Sequence, residues 1–218
     1  LSNILKEFFR TKTKITRSAI IASLVVVAIF GVLQAMESKS ATTDQVNLTV
    51  DVASVIDVTC PDPSAFGTLT PGTAVTTTAT CTTTTNNSTG YILQAKRDDA
   101  DTTLDLSTDA TTNITDKTAW DSTANTGDGN AATWSGTGLG FRVMQTGTDS
   151  GYSSTWWGSD DTLTNAKFAG LPSAYDTILD VSSAGETDAA VGFRLDVPAA
   201  QTAGTYTGTA TFQVTANP

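Results

Sequence analysis

TYTGTATFQVT, residues 205–215, places Tyr206, Gly208, Ala210, Phe212 and Val214 on one side of an extended chain and only Thr and Gln on the other. A strict period of two marks a half-buried strand, because successive side chains of a strand point to opposite faces. Just upstream, Phe193, Leu195 and Val197 alternate with Arg194 and Asp196, and Pro198 to Gly204 supply turn residues. Together the two runs predict a C-terminal hairpin of regular register.

The same period extends outward through the chain. Val46, Leu48, Val50 and Val52 share a face, and Ile56, Val58 and Cys60 keep their parity, which predicts one half-buried strand, or two in sequence with a break near Ser54. Pro61 and Pro63 end it, since proline cannot donate to a ladder. A short apolar piece, Phe66 to Leu69, closes on a Pro71-Gly72 turn. Val75, Thr77, Ala79 and Cys81 then alternate with Thr76, Thr78 and Thr80. After the Asn86 to Gly90 turn, Tyr91, Leu93 and Ala95 alternate with Ile92, Gln94 and Lys96. Leu139, Phe141 and Val143 restart the rhythm, with Gly140 and Arg142 opposite.

Two polar insertions, near 97–135 and 145–190, separate these runs. No segment after residue 41 has a helical period. The expected fold is all-β: an antiparallel β-sandwich with Greek-key connections over residues 42–218, preceded by one N-terminal hydrophobic helix within residues 1–41.

That N-terminal part sets the compartment. The run Ser18 to Met36 carries no charge, and Lys6, Arg10, Lys12, Lys14 and Arg17 precede it against the single acid Glu7. A basic flank stays cytoplasmic, so residues beyond about 37 are expected outside the cytoplasmic membrane. Three readings fit: a cleaved secretory signal, a retained membrane anchor, or a prepilin-like leader.

Composition agrees with export. The chain carries a formal net charge of −10 and no histidine. Beyond residue 41 the only cations are Lys96, Arg97, Lys117, Arg142, Lys167 and Arg194. Such a surface repels nucleic acid and anionic lipid. Cys60 and Cys81 are the two cysteines, and in an exported chain an even pair reads as one disulfide.

Phe66-Gly67, Gly90-Tyr91-Ile92-Leu93, Ala203-Gly204-Thr205-Tyr206-Thr207 and Phe212-Gln213-Val214 follow one another in an order that resembles WxL-type bacterial cell-surface domains. That family has a Phe-Gly step, a Gly-Trp-x-Leu strand and a closing hairpin that ends in a second Trp-x-Leu. Tyr91 and Phe212 stand where the family has Trp. The Thr-rich ending is also similar to exported surface proteins of ultra-small candidate-phylum bacteria. The resemblance implies noncovalent association with the cell wall.

Catalysis finds little support in the sequence. Without histidine a Ser or Cys nucleophile needs another base, and no G-x-S-x-G or S-x-x-K occurs. Carboxylates among Asp98, Asp99, Asp101, Asp105, Asp160 and Asp161 supply the residue type of a glycosidase pair, but acids in Thr- and Gly-rich loops read first as solvated turn residues. Asp98, Asp99 and Asp101 are the candidates for calcium. Tyr152, Trp156 and Trp157 are the candidate binding surface: neighbours on a strand face opposite ways, so one Trp is expected in the core and the other free to stack on a sugar or a protein. The competing reading has both Trp residues capping the end of the sandwich. Sequons begin at Asn47, Asn86, Asn87 and Asn113.

The expected function is a noncatalytic exported surface protein that needs no cofactor, with an envelope polymer or a protein as its partner, in wall association or adhesion. The alternative is a self-associating, pilus-like filament subunit, assembled through the N-terminal helix or by strand donation. Residues 18–36 contact the membrane if they are not removed.

Overall fold

Threonine and valine restrict χ1 and pack well on a pleated surface, and the alternating segments rich in them form strands. The computed structural model describes residues 44–61 and 65–218. The expected N-terminal helix and the run 18–36 lie outside the described residues. The chain divides after Asp51, and the unit Val52–Pro218 holds all the secondary structure among the described residues.

Among the described residues there are twelve strands: β1 (Ile56–Thr59), β2 (Val75–Thr85), β3 (Tyr91–Arg97), β4 (Leu104–Leu106), β5 (Asp109–Ile114), β6 (Ala132–Thr133), β7 (Gly138–Val143), β8 (Lys167–Phe168), β9 (Asp176–Val181), β10 (Gly185–Asp196), β11 (Tyr206–Thr207) and β12 (Ala210–Ala216). They form antiparallel sheets ordered β1-β2-β10-β7, β12-β3-β9, β11-β4-β5 and β6-β8. Among the described residues, helix is confined to the short turns Ala124–Gly127 and Ser154–Trp157. The mostly-β expectation therefore holds.

One core joins the two main sheets. Ala79, Phe141, Val143, Val191 and Phe193 of the four-stranded sheet pack with Tyr91, Leu93, Ala95, Leu179 and Val181 of β3 and β9. A smaller cluster of Ile114, Leu139, Leu195 and Val197 lies beneath Phe66, Leu69, Leu104 and Tyr206. In β2 and β3 the buried residues are those the alternation assigns, including Ala79, Cys81, Tyr91, Leu93 and Ala95.

Cys60 and Cys81 are joined as a disulfide across 21 positions. Closing a loop of that size stabilises by about 3 kcal/mol on the chain-entropy account. Replacing both cysteines with alanine is therefore expected to lower the urea midpoint by a matching amount, and an unchanged midpoint would contradict it.

Three expectations are corrected. First, Val46, Leu48, Val50 and Val52 form no strand and are 81, 92, 83 and 80% exposed. Alternation makes an amphipathic strip, but a strip becomes a strand only when a ladder accepts it, and none does here. Second, the C-terminal hairpin does not form. β10 pairs with β2 and β7, whereas β12 pairs with β3 in the other sheet. Pro198 to Gly204 carries the chain from one sheet to another. The expected long final strand is broken as well: Tyr206–Thr207 pairs with β4, and at Gly208 a Cβ would overlap the Thr103 carbonyl oxygen. Third, β7 is buried along both faces, Gly140 and Arg142 included. The face expected to meet solvent is covered: a Cβ at Gly140 would press on the Trp134 and Lys117 side chains, and Arg142 donates to Asp160 O and the Tyr152 hydroxyl.

The β2–β3 turn ties down both ends of the domain. Gly90 adopts φ +83 there, and its Cβ would overlap the Val181 carbonyl oxygen, so only glycine fits without strain. Asn86 Oδ1 accepts from Val55 N at 2.8 Å and Asn86 Nδ2 donates to Ala53 O at 2.7 Å. Asn87 Nδ2 donates to Asn217 O at 2.9 Å, and Asn217 Nδ2 donates to Asp180 Oδ1 at 2.8 Å.

Candidate functional site

Arg97, the last residue of β3, organises the loop that follows. Its guanidinium donates to the carbonyls of Asp99 at 3.0 Å, Ala100 at 2.9 Å and Leu171 at 2.8 Å. The loop then turns on its own side chains, with Asp101 N donating to Asp99 Oδ1 and Thr102 N to Asp101 Oδ1. This folding brings Asp99 and Asp101 to Asp105 of β4, with one carboxylate oxygen of each within 4.8 Å of the others. They stand beside an open cleft of about 570 Å³ whose walls include Asp98, Asp109 and Thr207 to Thr209.

The charges in this trio are unevenly held. Hydrogen bonds with Asp101 keep the Asp99 carboxyl down at about 2. Partial burial, with Asp99 and Asp101 close by, pushes Asp105 above the ordinary carboxylate value. All donors are oxygen, the type that calcium takes. Of the three sequence candidates, Asp99 and Asp101 come together. Asp98 stands outside the trio, its Oδ1 accepting from Thr209 N at 3.2 Å. Asp105 was missed as a calcium candidate because it reaches the loop from a separate strand.

Behind the loop sits Asp116, whose side chain is 6% exposed and 3.6 Å from Arg97 Nη1. Burial pushes its carboxyl up to about 6, against hydrogen bonds from Thr103 and the Arg97 charge. A carboxyl raised above its unfolded value favours the fold most when protonated. Its contribution is complete below about pH 4 and is lost as pH rises through about 6, on the order of 2–3 kcal/mol. Asp109, Asp121, Asp160 and Asp161 are shifted down, so what they contribute is lost only at lower pH. Stability is expected to peak near about pH 4–5 and to fall toward neutrality. Asp116→Asn should flatten that fall; an unchanged profile by urea denaturation would refute it.

The aromatic candidates are placed differently. Trp156 and Trp157 lie in the helical turn Ser154–Trp157, where the Ser153 side chain accepts from Trp156 N, rather than on a strand. Trp157 is fully buried, with its ring 4.5 Å from Trp120 and 5.3 Å from Phe141. Trp156 is half-buried, edge-on to Trp120, with its Nε1 donating to Gly127 O at 2.8 Å. Tyr152 Oη donates to Gly158 O at 2.7 Å and accepts from Arg142 Nη2 at 3.0 Å. These polar tips are held by the domain's own backbone and by Arg142.

A second aromatic group joins residues from the two polar insertions, a meeting that local pattern does not reveal. Trp134 lies edge-on to Phe168, with Lys117 Nζ 4.2 Å and the Arg194 guanidinium 4.7 Å from its ring. Both cations sit within cation–π distance. With Phe168, it lines a small cavity of about 120 Å³.

The sequon asparagines also have structural work. Asn86 and Asn87 tie the β2–β3 turn, and Asn113 Nδ2 donates to Asp101 Oδ2 at 2.9 Å. Asn47 is exposed. Compared with protein families and with curated proteins, the chain matches none.

Proposed function

We propose that this chain is a noncatalytic exported surface protein whose Greek-key β-sandwich associates, outside the cytoplasmic membrane, with an envelope polymer or protein in wall association or adhesion. The observation that carries this reading is the Cys60–Cys81 disulfide, a bond that persists in oxidising compartments. Two sheets sharing one core support the sandwich. The acidic, threonine-faced composition suits an exposed extracellular β domain, and the basic-then-apolar N-terminal run suits export.

Intact mass of the protein taken from its native envelope without reduction tests the compartment. A mass two hydrogens below the reduced chain is expected, and two free thiols would overturn export. Cosedimentation with purified cell-wall polymer tests the role. Protein left wholly in the supernatant would remove wall association while leaving the disulfide result intact.

A further inference from the structure

Five of the seven exposed large hydrophobic residues among the described residues fall in one short stretch: Val46, Leu48, Val50, Val52 and Val55. The first four alternate with Asn47, Thr49 and Asp51, so the stretch has the pattern of a two-faced strand but belongs to no sheet. An amphipathic strand with its backbone unpaired is a template for strand addition.

The main sheets offer four edges, and three are unsuited to receive it. At β7, Phe141 exchanges backbone hydrogen bonds with Ala169 and Leu139 with Thr115 and Lys117. At β9, the carbonyls of Thr177 and Ile178 accept from the indoles of Trp120 and Trp157. β1 is only four residues long. β12 is an edge strand of seven residues, paired to β3 on one side only. It contains no charge and no proline, the usual protections of an edge. Phe212 and Val214 on its core side are only half-buried, as are Ile56 and Val58 of nearby β1. The two seven-residue strips match in pattern: Val and Leu would meet Phe212 and Val214, while Asn47 and Thr49 would meet Thr and Gln.

β1 begins and β12 ends beside the same β2–β3 turn, since Ile56 pairs with Thr85 and Ala216 with Tyr91. To lie on β12 of its own domain, the stretch would have to reverse within Ala53 to Val55. Asn86 holds those residues in line with β1: its backbone N donates to Val55 O, and its side chain bonds Val55 N and Ala53 O.

We infer that residues 46–52 of one copy add as a strand to the free edge of β12 of a second copy. The contact is head-to-tail, so each copy uses one donor and one edge, and copies add in open series unless the rotation closes a ring. This goes beyond the envelope association proposed above and stands without it.

Sedimentation of the full chain in detergent, against the Leu48→Asp/Val50→Asp and Gln213→Lys variants, tests the inference. Gln213 is exposed on β12, and lysine there guards the edge without entering the core. Wild type is expected to self-associate, and each variant to weaken that by about tenfold or more with near-UV circular dichroism unchanged. A monomeric wild type would overturn the inference, as would association that survives in both variants and so runs through another surface. Mixing a Thr49→Cys chain with a Gln213→Cys chain separates the remaining case. A crosslink between the two chains supports exchange between copies. A Thr49→Cys/Gln213→Cys chain that closes on itself as a monomer refutes it.

Discussion

Trp157→Ala is expected to cost about 3–5 kcal/mol, the range for removing a large aromatic from a packed core. The side chain is fully buried, touches the rings of Trp120 and Phe141, and donates from Nε1 to Ile178 O at 3.0 Å. Truncation leaves a cavity at the centre of the main core and strips a buried carbonyl of its donor, so the penalties of packing and hydrogen bonding add. A domain stable by about 5–15 kcal/mol loses a large share of its stability in this way. Trp156→Ala serves as the comparison. Trp156 is half-buried and should cost markedly less, so urea midpoints that rank the two variants in the opposite order would sink the assignment of Trp157 to the core.

Arg142→Met should be nearly as damaging, at about 3–5 kcal/mol, because it leaves a partly buried carboxylate without its cation. Arg142 is 2% exposed on β7, and its Nη2 lies 2.9 Å from Asp161 Oδ1. It also donates to the carbonyls of Val143 and Asp160 and to the Tyr152 hydroxyl. Burial works to raise Asp161, but the backbone N–H groups of Thr146 and Gln145 and the Arg142 charge hold it below the ordinary value. Neutralising both partners, as Arg142→Met/Asp161→Asn, should recover part of the loss, since the worst state is one charge buried alone. Unfolding curves in which the single and double variants coincide with wild type would show that the pair is idle.

Arg142 also marks where sequence reading stops. The parity of β2, β3 and β12 was legible because which side of a strand is apolar is a local property, carried by every second residue. Which strand lies next door is not local. Phe193 to Val197 and Ala210 to Ala216 both show clean alternation, yet each finds its partner far away, in β2 and β7 for one and β3 for the other. A turn-forming linker such as Pro198 to Gly204 serves a hairpin or a crossing between sheets equally well. The outer face of β7 read as solvent-facing because nothing near Gly140 and Arg142 reveals that Lys117 and Trp134 cover the one and Tyr152, Asp160 and Asp161 the other.

The candidate sites divide along the same line. Asp99 and Asp101 were legible because a loop that turns on Asx hydrogen bonds keeps near neighbours together. Asp105 joins them through the placement of β4 beside that loop, which depends on β5 and β11. Trp156 and Trp157 were read as strand neighbours pointing opposite ways. Ser153 caps a helical turn instead, so the two rings stand on adjacent helical positions and both reach Trp120.

The Asn86-Asn87 turn, which grips Ala53 and Val55 with one residue and Asn217 with the next, makes this domain a loop closed at its neck. Tension applied between those two ends would load the neck and leave the sheets slack, so the domain should behave as a pendant on a tether rather than as a link within it. The same neighbourhood makes the fold a natural insert: a short peptide bridging residues 53 and 217, with the chain reopened in the exposed Ser182 to Ala184 turn, is expected to give a circular permutant that still folds.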